Sequence, residues 1–187
     1  MGIGRLFVRG AIGSLMVGHG TQKLFGWFGG GGPEGTGQFF EQVGLRPGRR
    51  NALAAGAAEA GGGALLALGL ATPLAVAALQ GAMVSAIRHV HWQNGPWVTK
   101  GGYEYNLVLI AALFGLAEAG PGRLSLDAAR DKERAGLGWA LAALAGAAAA
   151  SYGISAAAAA AAEAAEVEAE ATPREQAAET SSAVEAM

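Results

Sequence analysis

The chain contains no cysteine and few charged residues, and both shortages limit what it can be. Without cysteine, the chain can supply no disulfide, no thiolate ligand for zinc or iron–sulfur clusters, and no dithiol redox chemistry. Charged residues make up 15% of its 187 residues, whereas about a quarter is usual in soluble domains. The net charge of −2 gives no basis for binding nucleic acid, and we expect no nucleic-acid partner.

Several catalytic motifs are also missing. There is no H-E-x-x-H, no G-x-S-x-G and no P-loop pattern in the chain. Haem held by two histidines is disfavoured as well, because only His19 would lie deep in an apolar segment. We therefore predict no metal site and no covalently bound cofactor.

What the chain has instead is a series of long apolar segments. Hydrophobic residues make up 52% of it, and 31 residues are glycine. A membrane-spanning helix needs about 20 mostly apolar residues, and small residues let such helices pack closely. The pattern predicts an all-α integral membrane protein, in which an antiparallel four-helix transmembrane bundle is joined by a fifth helix. The four predicted spans of the bundle are residues 6–27, 51–70, 74–92 and 106–119.

The predicted organisation follows the same segments. Residues 1–127 form the four-helix membrane unit and residues 128–134 a charged loop. Residues 135–162 carry no charge and form the fifth transmembrane helix. Residues 163–187 are an acidic, Ala/Glu-rich tail, predicted to be helical to about Pro173 and disordered beyond it. Between the first two spans, residues 29–37 are predicted to be a glycine-rich loop and residues 37–44 a short interfacial helix.

Polar residues gather at one end of the predicted bundle. Successive spans run antiparallel, so the end of span one, the start of span two, the end of span three and the start of span four share a membrane face. The polar and aromatic residues of these ends are His19, Gln22, Lys23, Asn51, Glu59, Ser85, Arg88, His89, His91, Trp92, Tyr103, Glu104, Tyr105 and Asn106.

Depth within the spans predicts which of these residues meet. Glu59 lies eight residues inside Asn51, or about 12 Å at the rise of a helix. A lone carboxylate at that depth would cost several kcal/mol or take up a proton, so a partner is expected. His19 lies at the same depth and Lys23 one turn shallower, so both are predicted to meet Glu59.

The segment "RHVHW" supplies three more basic side chains near the membrane interface. Regular helical spacing would place Arg88 and His91 on one side of the helix and turn His89 away.

Two interpretations of the polar cluster stay open. The first is a structural clasp that holds spans one and two in register. The second is a half-buried pocket, with a carboxylate, imidazoles and aromatic walls, for a small redox or proton-coupled ligand. Contributions from four helices favour the pocket, because a clasp needs only two.

Five motifs, in this order, resemble the DoxX family of bacterial and archaeal inner-membrane proteins. They are "GHGTQKLFGWFG", "AAEAGGGALLALGLATP", "MVSAIRHVHW", "GGYEYNLVLIAALF" and "GPGRLSLD", spread over about residues 5–127. The resemblance implies a multi-pass protein of the inner (plasma) membrane with a four-helix unit. It also implies a loose link to quinone chemistry, through thiosulfate:quinone oxidoreductase or terminal quinol oxidase subunits. The fifth helix and the acidic tail depart from the family pattern.

The resemblance implies recurrent polar positions at His19, Lys23, Glu59 and Glu104. With the polar cluster, it leads to a hypothesis in which a quinone is the ligand. Glu59 and His19 are the predicted catalytic residues, with Glu59 as proton donor or acceptor. The predicted substrate-binding residues are Lys23, Arg88, His91, Trp92, Glu104 and Tyr105.

Other functions compete with this hypothesis. The chain has no cysteine and no evident cofactor motif, so a non-catalytic membrane scaffold is one alternative. Such a scaffold would dock soluble redox proteins through residues 39–50 or the acidic tail. A transporter that uses Glu59 ranks lower, because no inverted repeat is evident. Whether the chain is an enzyme on its own therefore stays open. Membrane lipid is the remaining expected partner, and the distribution of Lys and Arg favours a cytoplasmic N-terminus.

Overall fold

The computed structural model describes residues 2–185, with side chains described for residues 2–164. Within this range the chain is helical and has no strand, which confirms the all-α prediction. The α-helices are α1 (Ile3–Phe25), α2 (Gly32–Gln42), α3 (Gly48–Leu68), α4 (Thr72–Ala86), α5 (Glu104–Ala119) and α6 (Leu137–Glu185). One π-helical turn, Ile87–His91, prolongs α4, and a 3-10 turn, Trp92–Asn94, follows it.

Two helical stretches in the described range are long and apolar enough to cross a membrane. They are Thr72–Asn94 and Leu137–Ala164, which coincide with the predicted third and fifth spans. α1 and α3 have 23 and 21 residues but are rich in glycine and carry charged side chains. α5 has 16 residues and is therefore about 24 Å long, whereas the hydrocarbon core of a bilayer is about 30 Å thick. The four-helix transmembrane arrangement therefore stays a prediction.

The segment before α3 differs from the prediction. α2 begins at Gly32, so the predicted loop over residues 29–37 is wrong for most of its length. Pro33 lies in the first turn, where its fixed φ suits a helix and its missing N–H costs nothing. Glu34, also in the first turn, complements the helix dipole. These two residues outweigh the low helix propensity of the glycines.

The C-terminal helix is longer than predicted. α6 continues past Pro173 to Glu185, through residues for which a disordered tail was predicted. Alanine and glutamate are strong helix formers, which accounts for the continuation. Ala186 and Met187 lie outside the described residues.

α1 and α3 pack with their backbones in contact. A Cβ added at Gly20 would lie 2.3 Å from the backbone N of Ala60, and one at Gly13 would lie 2.5 Å from the carbonyl O of Gly63. The spacing of Gly56, Ala60 and Ala64, each four residues after the last, is typical of small-residue helix packing. Gly56 and Ala60 do meet α1, but Gly63 takes the place of Ala64, which is exposed. This close contact fixes the height of one helix against the other.

α4 lies at the centre of the fold. It packs against α3, α5 and α6, and its Val76 and Leu79 are fully buried against Leu66 of α3 and Leu113 of α5. Because α4 touches three helices, residues at its C-terminal end can face in several directions.

Candidate functional site

A buried ion pair joins α1 to α3. Lys23 Nζ lies 2.5 Å from Glu59 Oε2, as the depth argument predicts. Glu59 is 7% exposed, so its charge is almost fully removed from solvent. Breaking such a pair by removing one partner costs about 3–5 kcal/mol, because the remaining charge is left uncompensated.

A cavity of about 280 Å³ opens beside this pair, between α1, α3, α4 and α5. Apolar side chains such as Met16, Met83 and Leu109 form much of its wall. Its polar lining consists of His19, Lys23, Glu59, His91, Tyr105 and Asn106. The structure thus brings five of the eight predicted site residues to one cavity, and Asn106 is an addition.

His19 does not contact Glu59, so that part of the prediction is wrong. Its Nδ1 lies 3.2 Å from Oε1 of Gln22, and the ring is exposed at the cavity rim. The reason is the rotation of α1. Gly20 faces α3 in backbone contact, and the preceding residue points about 100° away on a helix of 3.6 residues per turn. The longer Lys23 side chain reaches Glu59 instead.

His91 reaches the cavity from the end of α4. Its Nδ1 lies 2.7 Å from the carbonyl O of Gly101. A carbonyl oxygen only accepts, so Nδ1 carries the proton. In the neutral ring, Nε2 is then the nitrogen that can accept a hydrogen bond or a proton.

Arg88 and His89 face α6, away from the cavity. The Nη1 atom of Arg88 lies 3.0 Å and 3.1 Å from the hydroxyls of Ser151 and Ser155. The guanidinium is 3.8 Å from the centroid of the Tyr152 ring. His89 Nε2 lies 2.9 Å from the same Ser155 hydroxyl. Arg88 is therefore a contact between α4 and α6 and does not line the cavity.

This arrangement overturns the predicted faces of "RHVHW". Arg88 and His89 share a side, and His91 points the other way. The segment forms a π-helical turn, whose wider winding shifts each residue from its position on a regular α-helix. The serines and the tyrosine of α6 were missed because that helix was taken only as an apolar span.

Trp92 and Glu104 also lie outside the cavity. Trp92 stacks on Tyr103, with ring centroids 5.6 Å apart and planes at 16°. Glu104 accepts a hydrogen bond from the backbone N–H of Val98 at 2.7 Å. Both residues brace the connection between α4 and α5. Asn106 was placed on this face by its sequence position but not assigned to the site, and it is 7% exposed, with Nδ2 3.4 Å from Sδ of Met83.

A second polar network lies at the opposite end of the helices. The carboxylate of Asp127 accepts hydrogen bonds from the N–H of Ala71 at 2.8 Å and from the N–H and hydroxyl of Thr72 at 3.0 and 2.8 Å. Burial alone would raise the pKa of Asp127. The hydrogen bonds from Thr72 and Ala71, with the charge of Arg130, outweigh burial and hold that pKa below its ordinary value.

Arg9 completes this network from α1. It is 2% exposed and donates a hydrogen bond to the carbonyl O of Leu124. Gly69 has a positive φ of 61° and lies against the guanidinium, where a Cβ would collide with Nη1. The network ties α1, α4 and the loop after α5 together through backbone groups.

The helical fold, the two stretches of membrane length and the polar residues clustered at helix ends define an all-helical membrane protein. Residues 4–92 match the family model described as DoxX, so this segment of the chain is similar to the DoxX family. The match includes α1 to α4 and the Lys23–Glu59 pair. No curated protein and no solved structure matches the chain.

Proposed function

We propose that this protein is a quinone-interacting subunit or accessory component of a membrane redox system. The observation that carries the proposal is the buried Lys23–Glu59 pair beside a cavity that two histidines and Tyr105 also line. At about 280 Å³, the cavity is near the lower bound of ligand pockets, about 300 Å³. That size suits a single ring head group better than a dinucleotide.

The proposal includes a membrane arrangement. α1, α3, α4 and α5 would form the four-helix unit, and the first half of α6 would be a fifth span in the inner membrane. The cavity rim lies between α1 and α5, where Leu15 is 59% exposed and Tyr105 52% exposed. In a bilayer this rim would face lipid, so a lipophilic ligand could enter from the side.

The polar lining supplies what quinone chemistry requires. Reducing a quinone to a quinol takes up two electrons and two protons, and the quinone oxygens accept hydrogen bonds. The ammonium group of Lys23 would donate a hydrogen bond to one quinone oxygen. The carboxylate of Glu59 would hold that ammonium group in place and would give a proton to the reduced oxygen or take it back. His19 at the rim would donate to the second oxygen. In the reverse reaction, the oxidation of a quinol, Nε2 of His91 would accept one of the protons and the electrons would pass to the redox partner. For quinone reduction, the electrons would come from a partner, since the chain has no cysteine to ligate an iron–sulfur cluster.

A scaffold that docks soluble redox proteins is the second candidate. Phe39 of α2 is 42% exposed, and arginines follow α2 at positions 46, 49 and 50. However, Arg49 lies 2.5 Å from Glu34 and Arg46 lies 3.4 Å from Glu41. These pairs reduce the positive charge offered to an acidic partner, so the cavity favours the quinone proposal.

Tryptophan fluorescence tests the proposal directly. Trp97 precedes Val98, which lines the cavity, so a bound short-chain quinone should quench its emission. We expect saturable quenching in the detergent-purified protein, with a Kd raised about tenfold by Glu59→Gln, the equivalent of about 1.4 kcal/mol. His19→Ala should weaken binding less, because His19 lies at the rim.

Glu118→Gln is the matched control. Glu118 is an exposed carboxylate near the opposite end of α5, so its variant should bind like the parent. Quenching that rises linearly and is indifferent to Glu59 would mean that the quinone only partitions into detergent. Stable co-purification of a soluble protein, together with such linear quenching, would support the scaffold instead.

A further inference from the structure

A second, larger cavity forms a groove between α4 and α6. Its volume is about 470 Å³. The residues that α4 and α6 contribute to it are apolar, among them Leu74, Ala77, Ala142 and Ala143. It lies at the start of α4, whereas the Lys23–Glu59 cavity lies near the end of α4, so the two are separate sites.

Three cations from the loop before α6 line the same groove. They are Arg130, Lys132 and Arg134, and all three are exposed. Among residues 2–164, none of the three has a carboxylate partner within 4.0 Å. The guanidinium of Arg134 lies 5.3 Å from the ring centroid of Trp139, which also lines the groove.

One acidic residue, Asp127, is in the lining. Both of its oxygens already accept hydrogen bonds from Ala71 and Thr72, so its charge is directed into the start of α4. Asp131 and Glu133 of the same loop do not line the groove. The charge presented to a ligand is therefore positive.

The position of the groove along α4 and α6 indicates its depth in a membrane. The two stretches of membrane length begin at Thr72 and Leu137, and the groove lies at both starts. Cations just outside a span lie at the level of the lipid phosphates, and tryptophan favours the same interface. An apolar groove between spans, with basic residues above it, matches both parts of a lipid.

We propose that this groove binds an anionic phospholipid. Its phosphate would lie against Arg130, Lys132 and Arg134, and an acyl chain would follow the groove between α4 and α6. The site does not depend on the proposed quinone function, since it shares no lining residue with the Lys23–Glu59 cavity.

Native mass spectrometry of the full-length protein in a non-ionic detergent tests this proposal. We expect saturable 1:1 binding of phosphatidylglycerol, at least about tenfold tighter than phosphatidylcholine with the same acyl chains. Replacing all three cations together, Arg130→Gln, Lys132→Gln and Arg134→Gln, should abolish this preference. The matched control, Arg46→Gln with Arg50→Gln and Lys100→Gln, removes three exposed cations from the other end of the molecule and should keep it.

Two further arms separate a lipid site from a phosphate site. Glycerol 3-phosphate carries the charge without acyl chains, and it should not displace phosphatidylglycerol. Ala142→Trp fills the groove without changing charge, so it should weaken phosphatidylglycerol binding even if the triple variant fails to fold. Equal binding of the two lipids, an unchanged preference in the triple variant, or displacement by glycerol 3-phosphate would each overturn the proposal.

Discussion

The two ends of this protein both bury charged residues but use them differently. At one end, Asp127 and Arg9 are bonded to backbone groups of the N-terminus of α4 and the loop after α5. At the other end, Lys23 and Glu59 are bonded to each other, and both line a cavity. A carboxylate that backbone N–H groups satisfy, as in Asp127, fixes the fold, whereas a buried ion pair that lines a cavity can exchange one partner for a ligand. The second end is therefore the candidate site.

Apart from loss of the Lys23–Glu59 pair itself, the largest effect on stability is expected from separating α1 and α3. Gly20→Ala places a Cβ against the backbone of Ala60, and such overpacking should cost about 3 kcal/mol of unfolding free energy. The Lys23–Glu59 pair should weaken with it. Thermal unfolding in detergent measures the loss.

Gly18→Ala is the control in the same helix. A Cβ at Gly18 meets nothing within 4 Å, so this variant should be unchanged or up to about 1 kcal/mol more stable. Equal behaviour of the two variants would contradict the backbone contact between α1 and α3.

The next largest loss of stability is expected at the end of the molecule that holds Asp127 and Arg9. Asp127→Ala removes three hydrogen bonds at the start of α4, and a lost cap of this kind costs about 2 kcal/mol. Quinone affinity should not change, because Asp127 lies far along α4 from the cavity. Glu133→Ala, at an exposed residue of the same loop, is the control. A weaker affinity for quinone in Asp127→Ala would contradict the separate roles of the two ends.

The same carboxylate predicts a pH dependence. The pKa of Asp127 is held below its ordinary value in the folded protein, so its contribution to stability is present above about pH 3.9. That contribution should be lost as the pH falls through the lower, folded pKa. The stability difference between the parent and Asp127→Ala should therefore shrink on acidification, as thermal unfolding at several pH values can measure. A difference that grows towards acid would show the opposite sign of the shift.

The smallest effect is expected at Glu104. This position was assigned to the site from the sequence, but its carboxylate bonds to the N–H of Val98 outside the cavity. Glu104→Gln keeps an oxygen acceptor, so stability should change by less than about 0.5 kcal/mol and quinone affinity should stay at the parent value. A loss equal to that of Glu59→Gln would extend the site beyond the cavity.

The helices and the central ion pair could be predicted from the sequence, because both follow from one-dimensional quantities. Apolar runs mark the long helices but not α2. Residue counts give depth, which placed both His19 and Lys23 near Glu59, and only Lys23 pairs with it. The orientation of His19 could not be predicted. It depends on the rotation of α1, which is set by the glycines of α1 that contact α3. The faces of Arg88 and His91 depend on a π-helical turn that residue spacing does not signal. The partners of Arg88 on α6 required knowing which helix covers α4.

The most direct test of the central claim is to find where a quinone binds. A photoreactive short-chain quinone can be cross-linked to the full-length protein in vesicles and the labelled peptides identified by mass spectrometry. We expect label in the α1 segment with His19 and in the α5 segment with Tyr105, and we expect it to be lost in Glu59→Gln and kept in Asp127→Ala. Label spread over the lipid-exposed residues of α4 and α6, at the same level in Glu59→Gln as in the parent, would contradict quinone binding in the Lys23–Glu59 cavity.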